Sequence, residues 1–125
     1  MSAIMRGLIG LLSLLYLFLA GSFLLNPVES GADFALSPIG AQGLASLRAD
    51  FTAYFLVTGG TMLWGAVTNR PMLYWVAIAI LGITFCGRAF SLVVDGAGIA
   101  PYPPMAVEAM TVVLLLIGLR VQRQT

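Results

Sequence analysis

The 125-residue chain contains no histidine and a single cysteine, Cys86. The first absence removes histidine-ligated haem and copper, most zinc sites, and any Ser–His or Cys–His dyad. The second removes an intrachain disulfide. Charge is scarce as well: 9% of residues are charged, with five acids against six bases and a net charge of +1. Basic runs, aromatic–basic interleaving and phosphate-loop glycine patterns do not occur, so nothing points to nucleic acid. Chemistry in this chain falls to carboxylates, Arg, Tyr and Ser/Thr, and no cofactor is expected.

Apolar residues make up 60% of the chain, and its mean hydropathy is +1.00. A soluble domain of this length could not bury so much apolar surface, which makes lipid the expected solvent. The runs at 4–25, 49–68, 72–94 and 104–121 each approach the ~20 residues needed to cross a bilayer as a helix. Helix is the only open-ended conformation that satisfies its own backbone in lipid. Asn26-Pro27, Asn69-Arg70-Pro71 and the Gly/Pro-rich stretch 95–104 punctuate them. The long connection 26–47 has room for a short interfacial helix capped by Asn26, with 37–43 breaking it. Arg6, the following apolar run and "AGS" at 20–22 also fit a cleaved signal peptide. The apolar run exceeds a signal core, which favours a retained first helix.

Arg6, Arg70, Arg120 and Arg123 fall on one side of four crossings, and Glu29, Asp33 and Asp95 on the other. The positive-inside rule then puts both termini in the cytoplasm. The expected fold is all-α, one domain over 1–125: an antiparallel four-helix transmembrane bundle, N-in/C-in, with an up-down-up-down course.

That topology gathers ionisable groups. Arg48 and Asp50 open the second helix from the outer side. Arg88 lies ~24 Å along the third, Asp95 ends it, and Glu108 sits near the outer start of the fourth. Thr84, Arg88, Ser91 and Asp95 share one helical face by their spacing, as do Asp50, Tyr54, Thr58 and Thr61 on the second helix, and Glu108 and Thr111 on the fourth. Charges inside spans usually face the bundle and pair, and a guanidinium can bridge two carboxylates. The expectation is a carboxylate–Arg88–carboxylate cluster in the outer half. Three readings of it stay open: Arg88 snorkelling to headgroups, an ion network that only locks helices, or a binding or reaction site. Arg48 also reads as an interfacial anchor.

Tyr16, Trp64, Tyr74, Trp75 and Tyr102 read as interfacial or packing aromatics. Gly59, Gly60, Gly65, Gly82 and Gly87 read as points of close helix approach, and Cys86 as a small packing residue.

"LNP" at 25–27, "LRADF" at 47–51, "GR" at 87–88, Ser91, "DG" at 95–96 and Glu108 after a proline break resemble the bacterial domain-of-unknown-function family 4345. The resemblance spans nearly the whole chain. It implies a small four-helix protein of the bacterial inner membrane, with Arg48, Asp50, Arg88, Asp95 and Glu108 at its motif positions. It implies no activity.

Three functions are compatible with these residues, and a fourth is disfavoured. The first is binding of a lipid or lipophilic small molecule by Arg48, Asp50, Tyr54, Thr84, Arg88, Ser91, Asp95 and Glu108, with Phe51, Phe55, Phe85, Phe90 and Met110 along its apolar part. The second is intramembrane acid–base catalysis (an isomerisation or epoxide hydration) by Asp50, Asp95 or Glu108 oriented by Arg88. The third is an accessory role in a membrane complex. Proton-coupled export is disfavoured because the first helix has no acid. Membrane lipids are the expected surroundings, and self-association is compatible with the sequence.

Overall fold

The computed structural model describes residues 1–96 and 102–123, without the side chain of Tyr102. Among the described residues the chain is all helical, with no strand. The helices are α1 Ser2–Leu25, α2 Pro27–Ala32, α3 Gly40–Val67, α4 Tyr74–Val94 and α5 Tyr102–Arg123, and a 3-10 turn at Pro71–Leu73 leads into α4. Three of them are long and apolar enough to cross a membrane: α1, α4 with its 3-10 turn, and α5. The connection at 97–101 and its part in the sequence reading lie outside the described residues, as does the side-chain placement of Tyr102.

Each long helix buries one stripe. On α1 this is Met5, Ile9, Ser13, Tyr16, Ala20 and Phe23, at the mixed three- and four-residue steps of a helical seam. On α5 it is Met105, Glu108, Thr111, Leu115, Leu119 and Gln122. The other faces carry exposed apolar side chains, including Leu11, Phe18, Ile83, Phe90 and Val113. Such a surface is stable against hydrocarbon and not against water.

α1 packs most extensively on α3, and smaller contacts join α3 to α4, α4 to α5, and α5 back to α1. Residues late in one helix meet residues early in the next. The Arg6 Nε–H donates to Ala66 O at 2.6 Å and its Nη2 to Val67 O at 2.9 Å, so a cation covers the last carbonyls of α3. Tyr74 donates to Gln122 Oε1 at 2.5 Å, and Gln122 Nε2 donates to Asn69 Oδ1 at 2.8 Å. This polar knot ties the α3–α4 turn to the end of α5.

α3, expected from sequence as the second span, begins at Gly40, nine residues before the expected 49. Gly40 and Gly43, in the stretch 37–43 expected as a break, lie within α3. Gly40 instead starts the helix at a φ of 66°, open to glycine at low cost, and Gly43 lies against Pro38. The added turns bury Leu47, whose methyl would sit 2.9 Å from a Cβ on Gly31 of α2. The short helix in the first connection is present, but Asn26 makes no side-chain cap; Pro27 at the first position starts it.

Gly59 and Gly65 are points of close approach. Gly60, Gly82 and Gly87 are not, since a Cβ on any of them would meet nothing within 4 Å. Cys86 is exposed rather than packed.

Candidate functional site

A cavity of about 570 Å³ lies between α1, α3, α4 and α5, within the size range of small-molecule sites. Its walls are mostly apolar: Leu15 and Leu19 from α1, Phe51 and Phe55 from α3, Leu81 from α4, and Val107 from α5. Asp33 and Phe34, just after α2, and Pro103 and Pro104, at the start of α5, line the end nearest the first connection. An aromatic cluster stiffens one side. Phe23 stacks on Phe51 and Phe55 at 5.0 and 5.6 Å, Phe34 tilts against Phe55 at 5.8 Å, and Tyr54 meets Phe55 edge-on at 4.9 Å.

The polar atoms of the cavity come from four helices. Arg88 of α4 faces Glu108 of α5, with Nε 3.2 Å from Oε1 and 3.3 Å from Oε2. This is the only ion pair among the described residues. Its two side chains differ in exposure: Arg88 retains 28% and Glu108 7%. The Arg88 Nε–H donates to Oε2, and Oε1 accepts no hydrogen bond among the described residues. Beside the pair, Tyr54 donates to Thr84 across α3 and α4 at 3.0 Å. Deeper in the bundle the Tyr16 hydroxyl lies 2.8 Å from Thr111 Oγ1. Helical spacing accounts for the alignment: Thr84 and Arg88 are one turn apart on α4, and Glu108 and Thr111 nearly one turn apart on α5.

Of the residues expected from sequence, Tyr54, Thr84, Arg88 and Glu108 line this cavity. Arg48 is exposed on α3, and its Nε–H donates to Leu24 O at 3.0 Å, against the end of α1. Asp50 is exposed and borders a separate groove with Leu36, Pro38 and Ile39. Asp95 is exposed at the end of α4, where its backbone N–H closes the last turn on Ser91 O at 2.8 Å. Ser91 is half-buried and outside the cavity wall. The expected bridge of two carboxylates through Arg88 is therefore a single pair. α3 turns the Asp50 carboxylate away from the cavity, and Asp95 lies two turns beyond Arg88 at the helix end. Of the expected apolar lining, Phe51 and Phe55 take part, and Phe85, Phe90 and Met110 do not; Phe90 and Met110 point outward, 67% and 56% exposed.

Tyr16, Asp33 and Phe34 line the site and are not assigned to it from sequence, whereas Thr111, expected on the polar stripe with Glu108, supports Tyr16. Tyr16 carried a readable signal. It stands in the middle of a leucine-rich span, far from either interface, where a phenol needs an internal partner. Asp33 carried none, because only the fold of the first connection brings it over the cavity. No group of three or more Cys, Asp or Glu side chains close enough to share a metal ion occurs among the described residues.

Comparison of the chain with protein-family models, with curated proteins and with solved structures gives no match in any of the three.

Proposed function

We propose that this chain is an integral membrane protein that binds a lipid or lipophilic small molecule in the cavity between α1, α3, α4 and α5. The carrying observation is an apolar chamber of about 570 Å³ with the Arg88–Glu108 pair set into its wall. An ion pair in the wall of an apolar cavity is suited to orient an amphiphile's head while the walls accept its body.

In this reading α3 joins α1, α4 and α5 as a fourth crossing, giving an antiparallel four-helix bundle with both termini in the cytoplasm. The opposed order of the packing contacts supports the antiparallel course: Arg6 meets Ala66 and Arg48 meets Leu24 between α1 and α3, and Tyr74 meets Gln122 and Arg88 meets Glu108 between α4 and α5. Arg6, Arg70, Arg120 and Arg123 at one end support the orientation. At ~1.5 Å per residue α3 is ~42 Å long, so its first turns, with Arg48, project past a ~30 Å core. The resemblance to domain-of-unknown-function family 4345 extends the proposal to a bacterial inner membrane. With Cys86 replaced by Ala, a cysteine at Ser37 reacts with a membrane-impermeant maleimide in intact cells, and one at Thr68 reacts only after lysis. Reaction of both from the same side overturns the topology.

The binding test is extraction of the purified protein with organic solvent. The expected result is a lipophilic species at near-stoichiometric amount in the wild type, lost in Arg88→Ala and in Val107→Phe, which crowds the cavity wall. An extract that matches the bulk membrane profile in all three proteins overturns the reading.

A second reading, acid–base turnover of a lipophilic substrate, rests on Glu108 alone, which lines the cavity and whose buried Oε1 accepts no hydrogen bond among the described residues. Recovery of a chemically altered species in the same extraction selects it.

A further inference from the structure

The cavity's polar wall is short of donors. Thr84 donates its one hydroxyl proton to Ile80 O at 2.8 Å, so the contact with Tyr54 uses the tyrosine proton. Thr111 likewise donates to Val107 O at 2.7 Å, which leaves Tyr16 as the donor across its 2.8 Å contact. Each phenol has one proton, and each proton is engaged inside the bundle. What both tyrosines keep is acceptor lone pairs. The carboxylates of Glu108 and Asp33 are acceptors too. Among the described residues, the donors left over on the wall are the terminal nitrogens of Arg88, whose Nε is turned to Glu108.

Charge narrows the choice further. The Arg88 cation is matched by Glu108 at 3.2 Å, and Asp33 adds a negative charge at the mouth. An anionic head would have to enter past Asp33 and compete with Glu108 for one guanidinium. A quaternary ammonium would lie against Arg88 and bring no proton to the tyrosines. A hydroxyl meets both sides: it accepts from Arg88 and donates to a phenol or carboxylate oxygen. The remaining walls are leucine, phenylalanine, valine and proline, and they offer a ligand's body no polar partner.

We propose that the cavity selects an uncharged lipophilic molecule headed by a hydroxyl group, held between the Arg88 guanidinium and the acceptor oxygens of Tyr54 and Glu108. This rests on the binding function proposed above and specifies its ligand class. It excludes anionic phospholipid headgroups and permanent cations as the preferred occupant.

The test uses the full chain in nanodiscs, with binding to empty nanodiscs subtracted, and three radiolabelled probes with the same hydrocarbon tail: oleyl alcohol, oleyl sulfate and oleyltrimethylammonium. The alcohol is expected to bind about tenfold or more tighter than either charged probe, as a lost or mismatched polar contact in an apolar site implies. Tyr54→Phe, which removes an acceptor and keeps the ring, is expected to weaken the alcohol about threefold or more and to leave the charged probes unchanged. Tighter binding of the sulfate or of the trimethylammonium overturns the selectivity. Equal binding of all three, unaffected by Tyr54→Phe, overturns it while the binding function stands. Failure of every probe to bind overturns both.

Discussion

Arg88→Met lowers the stability of the detergent-solubilised protein by about 2–3 kcal/mol, and adding Glu108→Leu restores most of that loss. The single substitution strands a carboxylate that is only 7% exposed, with no other ion-pair partner among the described residues. Removing one member of a buried pair costs about 3–5 kcal/mol when both groups are fully enclosed. Arg88 keeps 28% of its surface, which moves the expectation just below that range. The double variant removes both charges, and two apolar side chains replace an arrangement whose desolvation had already offset much of its attraction. Denaturant-induced unfolding of the four proteins of the cycle measures the coupling. The same four proteins separate a stabilising pair from a recognising one. A pair that only locks helices leaves lipophile binding intact in the stable double variant, whereas the binding function requires that variant to be folded and empty. A double variant as unstable as Arg88→Met removes the argument that Glu108 is the stranded group.

The chain's residues differ in how openly they state this arrangement. Arg88 and Glu108 were legible because charge inside a span must find a partner, and alternating the direction of successive helices puts the two at one depth. Thr84 and Tyr54 followed from helical spacing. Asp50 and Asp95 misled for one physical reason: a helical position near a span's end can satisfy its carboxylate in water as readily as in the bundle, and sequence spacing does not decide between them. Asp50 shares a calculated stripe with Tyr54, but it lies one turn closer to the helix start, and there α3 continues outward instead of ending. The early start of α3 was hidden because glycine breaks a helix in isolation and is tolerated where a neighbour packs on it, as Pro38 does on Gly43. The cavity itself was not legible. Volume left between helices depends on their separation, which Leu, Phe and Val set jointly across four elements.

Gly59→Leu prevents accumulation of the folded protein. A Cβ at this position would stand 3.0 Å from the backbone nitrogen of Leu17 and 3.0 Å from the backbone oxygen of Ser13. Both are main-chain atoms of α1, so no rotamer change relieves the contact, and the two helices must separate. α1 and α3 form the most extensive helix pair in the molecule. Dispersion at close range is what holds helices together in lipid, where no hydrophobic force acts between them. Even a modest separation forfeits a quarter to a half of each contact's attraction, and overpacking of this kind costs about 3 kcal/mol or more before the rest of the side chain is placed. Gly60→Leu is the control. It adds the same side chain one residue away, where a Cβ would meet nothing within 4 Å, and it changes unfolding by less than about 1 kcal/mol. Expression level and a monodisperse elution profile read the contrast. Equal behaviour of the two variants removes the close approach of α1 and α3, and with it the geometry that leaves a chamber between α1, α3, α4 and α5.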